Sequence, residues 1–211
     1  MLGFANAIAG VHLATIVATV AVYFLILGLL NSRRHPQLLR ARWDFTLLLA
    51  AVSPLFILPV LARVGVTLPA VLVAVGAVIS AARLLAPRGP AWVIYNMPLA
   101  EATDAVGRVL EAMGLKVRRH PGRLELPELG AAVEIGGFPM LRNVSLRLRG
   151  GEKLADELET RLAAAMEATS AETSPMAVSL LLVATAMLVI PATLMAHHAV
   201  EIVRVLTDLL P

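Results

Sequence analysis

The sequence predicts an α-helical multi-pass membrane protein: four transmembrane helices with a small cytoplasmic α+β domain, an antiparallel sheet plus two helices, inserted between the third and the fourth. Three observations predict it. Of 211 residues, 58% are hydrophobic and only 16% charged, against about 45–50% and about 25% in a soluble domain; the mean hydropathy is +0.80. The apolar residues gather in four stretches, each near the roughly 20 residues that a helix needs to cross a hydrocarbon core of about 30 Å. The only long polar segment, residues 88–170, falls between the third and fourth of them.

The first stretch, about 5–30, contains no charge and a single histidine, His12. The start Met1-Leu2-Gly3-Phe4 lacks the basic region of a secretory signal peptide, so a retained helix is expected. The connector that follows carries Arg33, Arg34, Arg40 and Arg42. By the positive-inside rule such a loop is cytoplasmic, which puts the N-terminus outside. These arginines are the candidate contacts to lipid headgroups or to an acidic partner. Trp43 stands where an interfacial aromatic anchors a helix, and Asp44 is spaced to pair with Arg40 on the next turn.

The second span, about 45–62, contains Pro54 and Pro59, each of which removes a helix hydrogen bond. The third, about 68–85, presents the small residues Ala70, Ala74, Gly76, Ala77 and Ser80, which permit close approach of a neighbouring helix. Arg83 and Arg88 flank its end at Pro87-Arg88-Gly89-Pro90, again on the cytoplasmic side. Before Pro87 the chain has six basic residues and one acid, whereas from Arg88 to Ser170 the signs nearly balance. The basic pI of about 9.9 therefore reflects loop arginines that encode topology.

Within 88–170 the periodicity predicts a strand at Trp92–Asn96, a helix from Ala100 to Met113 ended by Gly114, and a hairpin of 115–119 with 123–126 around His120-Pro121-Gly122. Two more strands are expected at 132–135 and 144–149, joined by a Gly136-Gly137-Phe138-Pro139 turn, then an amphipathic helix from Glu152 to Ala168. Its carboxylates, Glu159 among them, read as a solvated face. The order β-α-β-β-β-β-α suits one antiparallel sheet covered on one face by two helices. A fourth span, 175–196, opens on Pro175 and contains Pro191. The tail 197–211 has a polar and an apolar stripe, as expected of a helix lying in the outer interface.

The chain has no cysteine, which excludes disulfides, thiolate metal sites and a cysteine nucleophile. It has no phosphate-binding glycine loop with a lysine, no His-Glu-x-x-His and no Gly-x-Ser-x-Gly. The strand arginines lack the companion aromatics of an RNA-binding sheet, so nucleic acid is not an expected partner. One constellation remains. His12 near the outer end of the first span and His197 and His198 at the outer end of the fourth fall on one side of the membrane. Two imidazoles suit haem ligation or a metal, and one suits a quinone headgroup.

The expected function is a non-enzymatic subunit of the inner (plasma) membrane with both termini outside. It assembles with other integral membrane subunits or with itself, and segment 88–170 docks or regulates a cytoplasmic protein. No cofactor is expected on this reading. The alternative is a haem- or quinone-binding electron-transfer protein using His12 with His197 or His198. A further alternative is a component of an oligomeric channel or transporter.

Overall fold

Four helices are long and apolar enough to cross a membrane, and a separate antiparallel sheet carries two shorter helices. The structure is a computed structural model that describes residues 2–197. The long helices are α1 (Leu2–Ser32), α2 (Ala41–Val64), α3 (Leu68–Leu85) and α6 (Pro175–His197). Their apolar stretches run over His12–Ser32, Ala41–Val64, Leu68–Leu85 and Pro175–Leu194. α2 continues through Pro54 and Pro59, and α6 through Pro191. The side chain of Thr67 caps α3 by accepting from the Ala70 amide, and Pro69 in the first turn lacks only a donor that the helix would leave unpaired.

α1 and α6 pack along their lengths. Gly28 makes that approach possible: a Cβ there would stand 2.8 Å from the Leu181 side chain and 3.3 Å from the Ala177 carbonyl. α2 packs on α1, and α3 packs chiefly on α2, burying none of its residues. The predicted tail helix over 197–211, apart from the backbone of His197, lies outside the described residues.

The sheet comprises β1 (Gln37–Arg40), β2 (Ala91–Tyr95), β3 (Arg118–His120), β4 (Arg123–Leu126), β5 (Ala131–Phe138) and β6 (Asn143–Arg149). Their order is β1-β2-β6-β5-β4-β3, with every neighbour antiparallel. The helices α4 (Leu99–Ala112) and α5 (Ala155–Glu167) cover one face. Val106 and Leu110 from α4 and Leu158, Leu162 and Met166 from α5 pack with Ile94, Leu124, Val133 and Leu146 of the strands. The intervening strand positions Glu134, Ser145, Arg147 and Arg149 form the open face, as period-2 alternation requires.

Three expectations are corrected. The connector between the first two spans is not only a loop, because its residues Gln37–Arg40 form β1 and pair with β2 in the register Leu39 to Val93. The α+β domain is therefore not confined to 88–170. Asp44 does not pair with Arg40, since each has a partner in the α+β unit. Finally, β5 runs on through Gly136-Gly137-Phe138 and the chain turns later, at Pro139–Leu141, with Arg142 left-handed at φ 50°.

Candidate functional site at the helix–sheet junction

The polar residues that the fold draws together lie where α1 and α2 meet the sheet. Asn96 follows β2 in the left-handed conformation, φ 60°, with 0% of its surface exposed. Asparagine tolerates that conformation better than other side chains with a Cβ. Its backbone amide donates to Oδ1 of Asn31 at 3.1 Å, and its Nδ2 donates to the Arg33 carbonyl at 3.0 Å. Asn31 in turn donates to the Leu27 carbonyl inside α1. The next residue, Met97, donates its amide to the Arg142 carbonyl, and the Ala171 amide donates to the Arg34 carbonyl at 2.7 Å. The end of α1, the end of β2, the β5–β6 turn and the entry to α6 are thus stitched together by backbone-directed bonds.

A second contact joins α2 to the sheet. Tyr95 donates its hydroxyl to Oδ1 of Asp44 in the first turn of α2. Burial first, and then the Asp44 carboxylate, push the Tyr95 hydroxyl pKa well above its ordinary value, so this hydroxyl stays a donor. Asp44 also complements the positive end of the α2 dipole.

The third contact ties β1 to α5. Nε of Arg40 donates to both Glu159 oxygens at 2.8 Å, and Asp156 lies 3.8 Å from its guanidinium. Glu159 also accepts from Nε1 of Trp92, a residue 2% exposed, at 2.9 Å. Burial raises the Glu159 pKa, but the hydrogen bonds from Arg40 and Trp92 and the charge of Arg40 outweigh it and hold the carboxyl below its usual value. The stabilisation by this carboxylate is therefore complete above the ordinary glutamate pKa and is lost as pH falls through the lowered one. Glu159→Ala is expected to cost about 1–2 kcal/mol, chiefly through the buried Trp92 N–H left without an acceptor. Arg40→Ala is expected to cost less, because its half-exposed pair is screened by water. Thermal unfolding in detergent should show that ranking, and the gap between wild type and Glu159→Ala should narrow in acid.

The arginines of the first connector separate by role. Arg33 donates to the Gln37 side chain at 3.0 Å, Arg34 contributes its carbonyl to Ala171, and Arg40 is engaged by Glu159. Arg42 is exposed and has no carboxylate within 4 Å among the described residues. His12 is partly buried on α1, and the pairing of the start of α6 with the end of α1 brings the other end of α6, where His197 stands, toward the His12 end of α1. His198 and the His197 side chain lie outside the described residues. No three histidine, aspartate or glutamate side chains among the described residues converge as metal ligands would.

Sequence reasoning passed over Asn31, Asp44, Tyr95, Asn96 and Glu159 as a connected set. The one local signal was an asparagine directly after a strand and two residues before Pro98, which favours a turn. Comparisons with family models, with curated proteins and with solved structures find no match to this chain.

Proposed function

We propose that the chain is a non-enzymatic integral membrane subunit whose four apolar helices assemble with other membrane proteins, or with further copies of itself, and hold an α+β docking module at the cytoplasmic surface. The observation that carries this reading is β1: a strand from the connector between α1 and α2 is part of the module's sheet. A partner bound to the module would be fixed relative to the membrane helices. The helix surface left for assembly is the groove between α2 and α3. It has a volume of about 660 Å³ and is lined by Phe56, Val60, Val73, Ala74 and Ala77 among others. Lipid fills such a groove in the free subunit, and a partner helix with small or complementary side chains replaces it.

Gentle-detergent purification through a tag on the module tests the proposal. A stable set of co-purifying membrane proteins, or a defined homo-oligomer, is the expected result. Gly76 faces open space on α3, with nothing within 4 Å of where a Cβ would stand. Ala77 lines the groove and is exposed, so Ala77→Leu should reduce co-purification several-fold if a partner helix enters the groove, whereas Gly76→Leu, outside the lining, should not. A lone, monomeric chain would refute assembly.

The arginine-bearing connectors support the cytoplasmic placement of the module. Protease added to sealed, right-side-out vesicles should leave segment 88–170 intact, and cleavage from outside would refute that topology.

The α1–α6 pairing keeps the haem or quinone reading as the second. A visible absorption band in the purified protein, absent from His12→Ala, would favour it over the first.

A further inference from the structure

The level at which α2 begins and α3 ends carries more positive charge than the fold neutralises. Two adjoining clefts share Ala86, Pro87 and Arg88. One, of about 520 Å³, is lined by Leu84 and Leu85 together with Arg88, Arg147 and Arg149. The other, of about 500 Å³, adds Arg42 and Arg83, with Glu152 as its only acid. Arg149 is held by Glu134 at 2.6 Å. Arg42, Arg83, Arg88 and Arg147 have no carboxylate within 4 Å among the described residues.

The apolar run of α3 ends beside these clefts. Leu84 and Leu85 are about two-thirds exposed, at 67% and 66%. Trp43, next to Arg42, is 63% exposed at the start of α2, where an interfacial aromatic belongs. Among the described residues neither cleft lining contains an aromatic ring on which a nucleic-acid base would stack. Exposed leucines beside unpaired guanidiniums match one ligand chemistry: a phosphate joined to a hydrocarbon chain.

We propose that this belt is a binding site for an anionic phospholipid, with Arg42, Arg83, Arg88 and Arg147 on the headgroup and Leu84 and Leu85 against the acyl chains. The inference rests on the reading of the apolar helices as membrane-spanning. It moves the lipid contact from the first connector as a whole to a cleft shared by α2, α3 and β6. Guanidiniums suit this role because their fork of donors matches phosphate oxygens.

Detergent-solubilised full chain is titrated separately with phosphatidylglycerol, phosphatidylcholine and inorganic phosphate, and bound lipid is counted by native mass spectrometry. Phosphatidylglycerol should be retained in preference to the other two. The double variant Arg88→Gln with Arg147→Gln should bind it about thirtyfold more weakly, at about fivefold per arginine near an anionic surface. Arg63→Gln with Arg108→Gln, an equal charge change elsewhere, should leave binding unchanged. Arg88→Lys with Arg147→Lys should bind more weakly than wild type but clearly more tightly than the Gln pair, which separates loss of charge from misfolding. Equal retention of phosphatidylcholine, or an unaffected Gln double variant, would overturn the proposal. Inorganic phosphate competing as well as the lipid would also overturn it, leaving a free-anion site. Extraction of the chain from membranes by alkaline carbonate would instead refute the membrane reading itself. A chain that resists extraction but shows no lipid preference would refute the lipid site alone.

Discussion

Asn96→Leu is expected to destabilise the protein by roughly 2–5 kcal/mol. Asn96 is fully buried and left-handed at φ 60°, and its side chain donates to the Arg33 carbonyl at the end of α1. A leucine would incur roughly 1–2 kcal/mol for the left-handed conformation. It would also leave the Arg33 carbonyl without that donor, at a further 1–3 kcal/mol or so. Asn96→Gly relieves the backbone strain and loses only the side-chain bond, so it should cost about half as much. Thermal or denaturant unfolding in detergent would rank the two variants. Equal losses would show that backbone strain contributes nothing at this junction.

Gly28→Ile is the second large effect expected, about 3 kcal/mol, near the upper end for overpacking. Even a Cβ at position 28 meets the Leu181 side chain at 2.8 Å and the Ala177 backbone at 3.3 Å, so a branched side chain forces α1 and α6 apart. Gly10 and Gly76 have nothing within 4 Å, and the same substitution there should be nearly silent for stability. Limited proteolysis at the 168–174 linker, which joins α5 to α6 and is bonded to Arg34 and His35 just past the end of α1, reports on the separation. The Gly28 variant should be cut faster than wild type, and the Gly10 variant should not.

Much of the fold was legible because its signals are local. Uncharged runs marked the apolar helices to within a few residues, with the third span, 68–85, matching α3 throughout. The start of α2 was placed four residues late. Arg42, Trp43 and Asp44 read as loop, whereas the helix begins at Ala41 directly from β1. Within 88–170, alternation and 3–4 spacing located four strands and both helices, whereas the first hairpin strand, expected at 115–119, forms at Arg118–His120.

The sixth strand was not legible. Gln37-Leu38-Leu39-Arg40 has no alternation, its four residues are dominated by the arginines around it, and its partner β2 lies about fifty positions away. The junction escaped for the same reason. Asp44 finds Tyr95, Asn31 finds Asn96 and Arg40 finds Glu159 only after the sheet has formed. Glu159 sits on the polar stripe of α5, and nothing in the helix period distinguishes it from its solvated neighbours Asp156 and Glu157. A carboxylate on a polar face becomes structural here because a buried indole N–H reaches it.

The central claim is that the connector between α1 and α2 contributes a strand to the sheet of the α+β unit. A cysteine pair tests it most directly, since the chain has no cysteine of its own. Leu39 and Val93 face each other across β1 and β2, and opposed Cβ atoms in antiparallel strands lie about 4.5–5.5 Å apart, close enough for a disulfide after small shifts. Leu39→Cys with Val93→Cys is placed in a chain carrying a protease site between α2 and α3, oxidised in native membranes and then cleaved. On a denaturing gel the two fragments should stay joined until reduced, while Leu38→Cys with Val93→Cys, whose side chains point to opposite faces, should fall apart. Fragments that separate without reductant in the first pair would contradict the shared sheet and, with it, the proposed fixing of a docking module to the apolar helices.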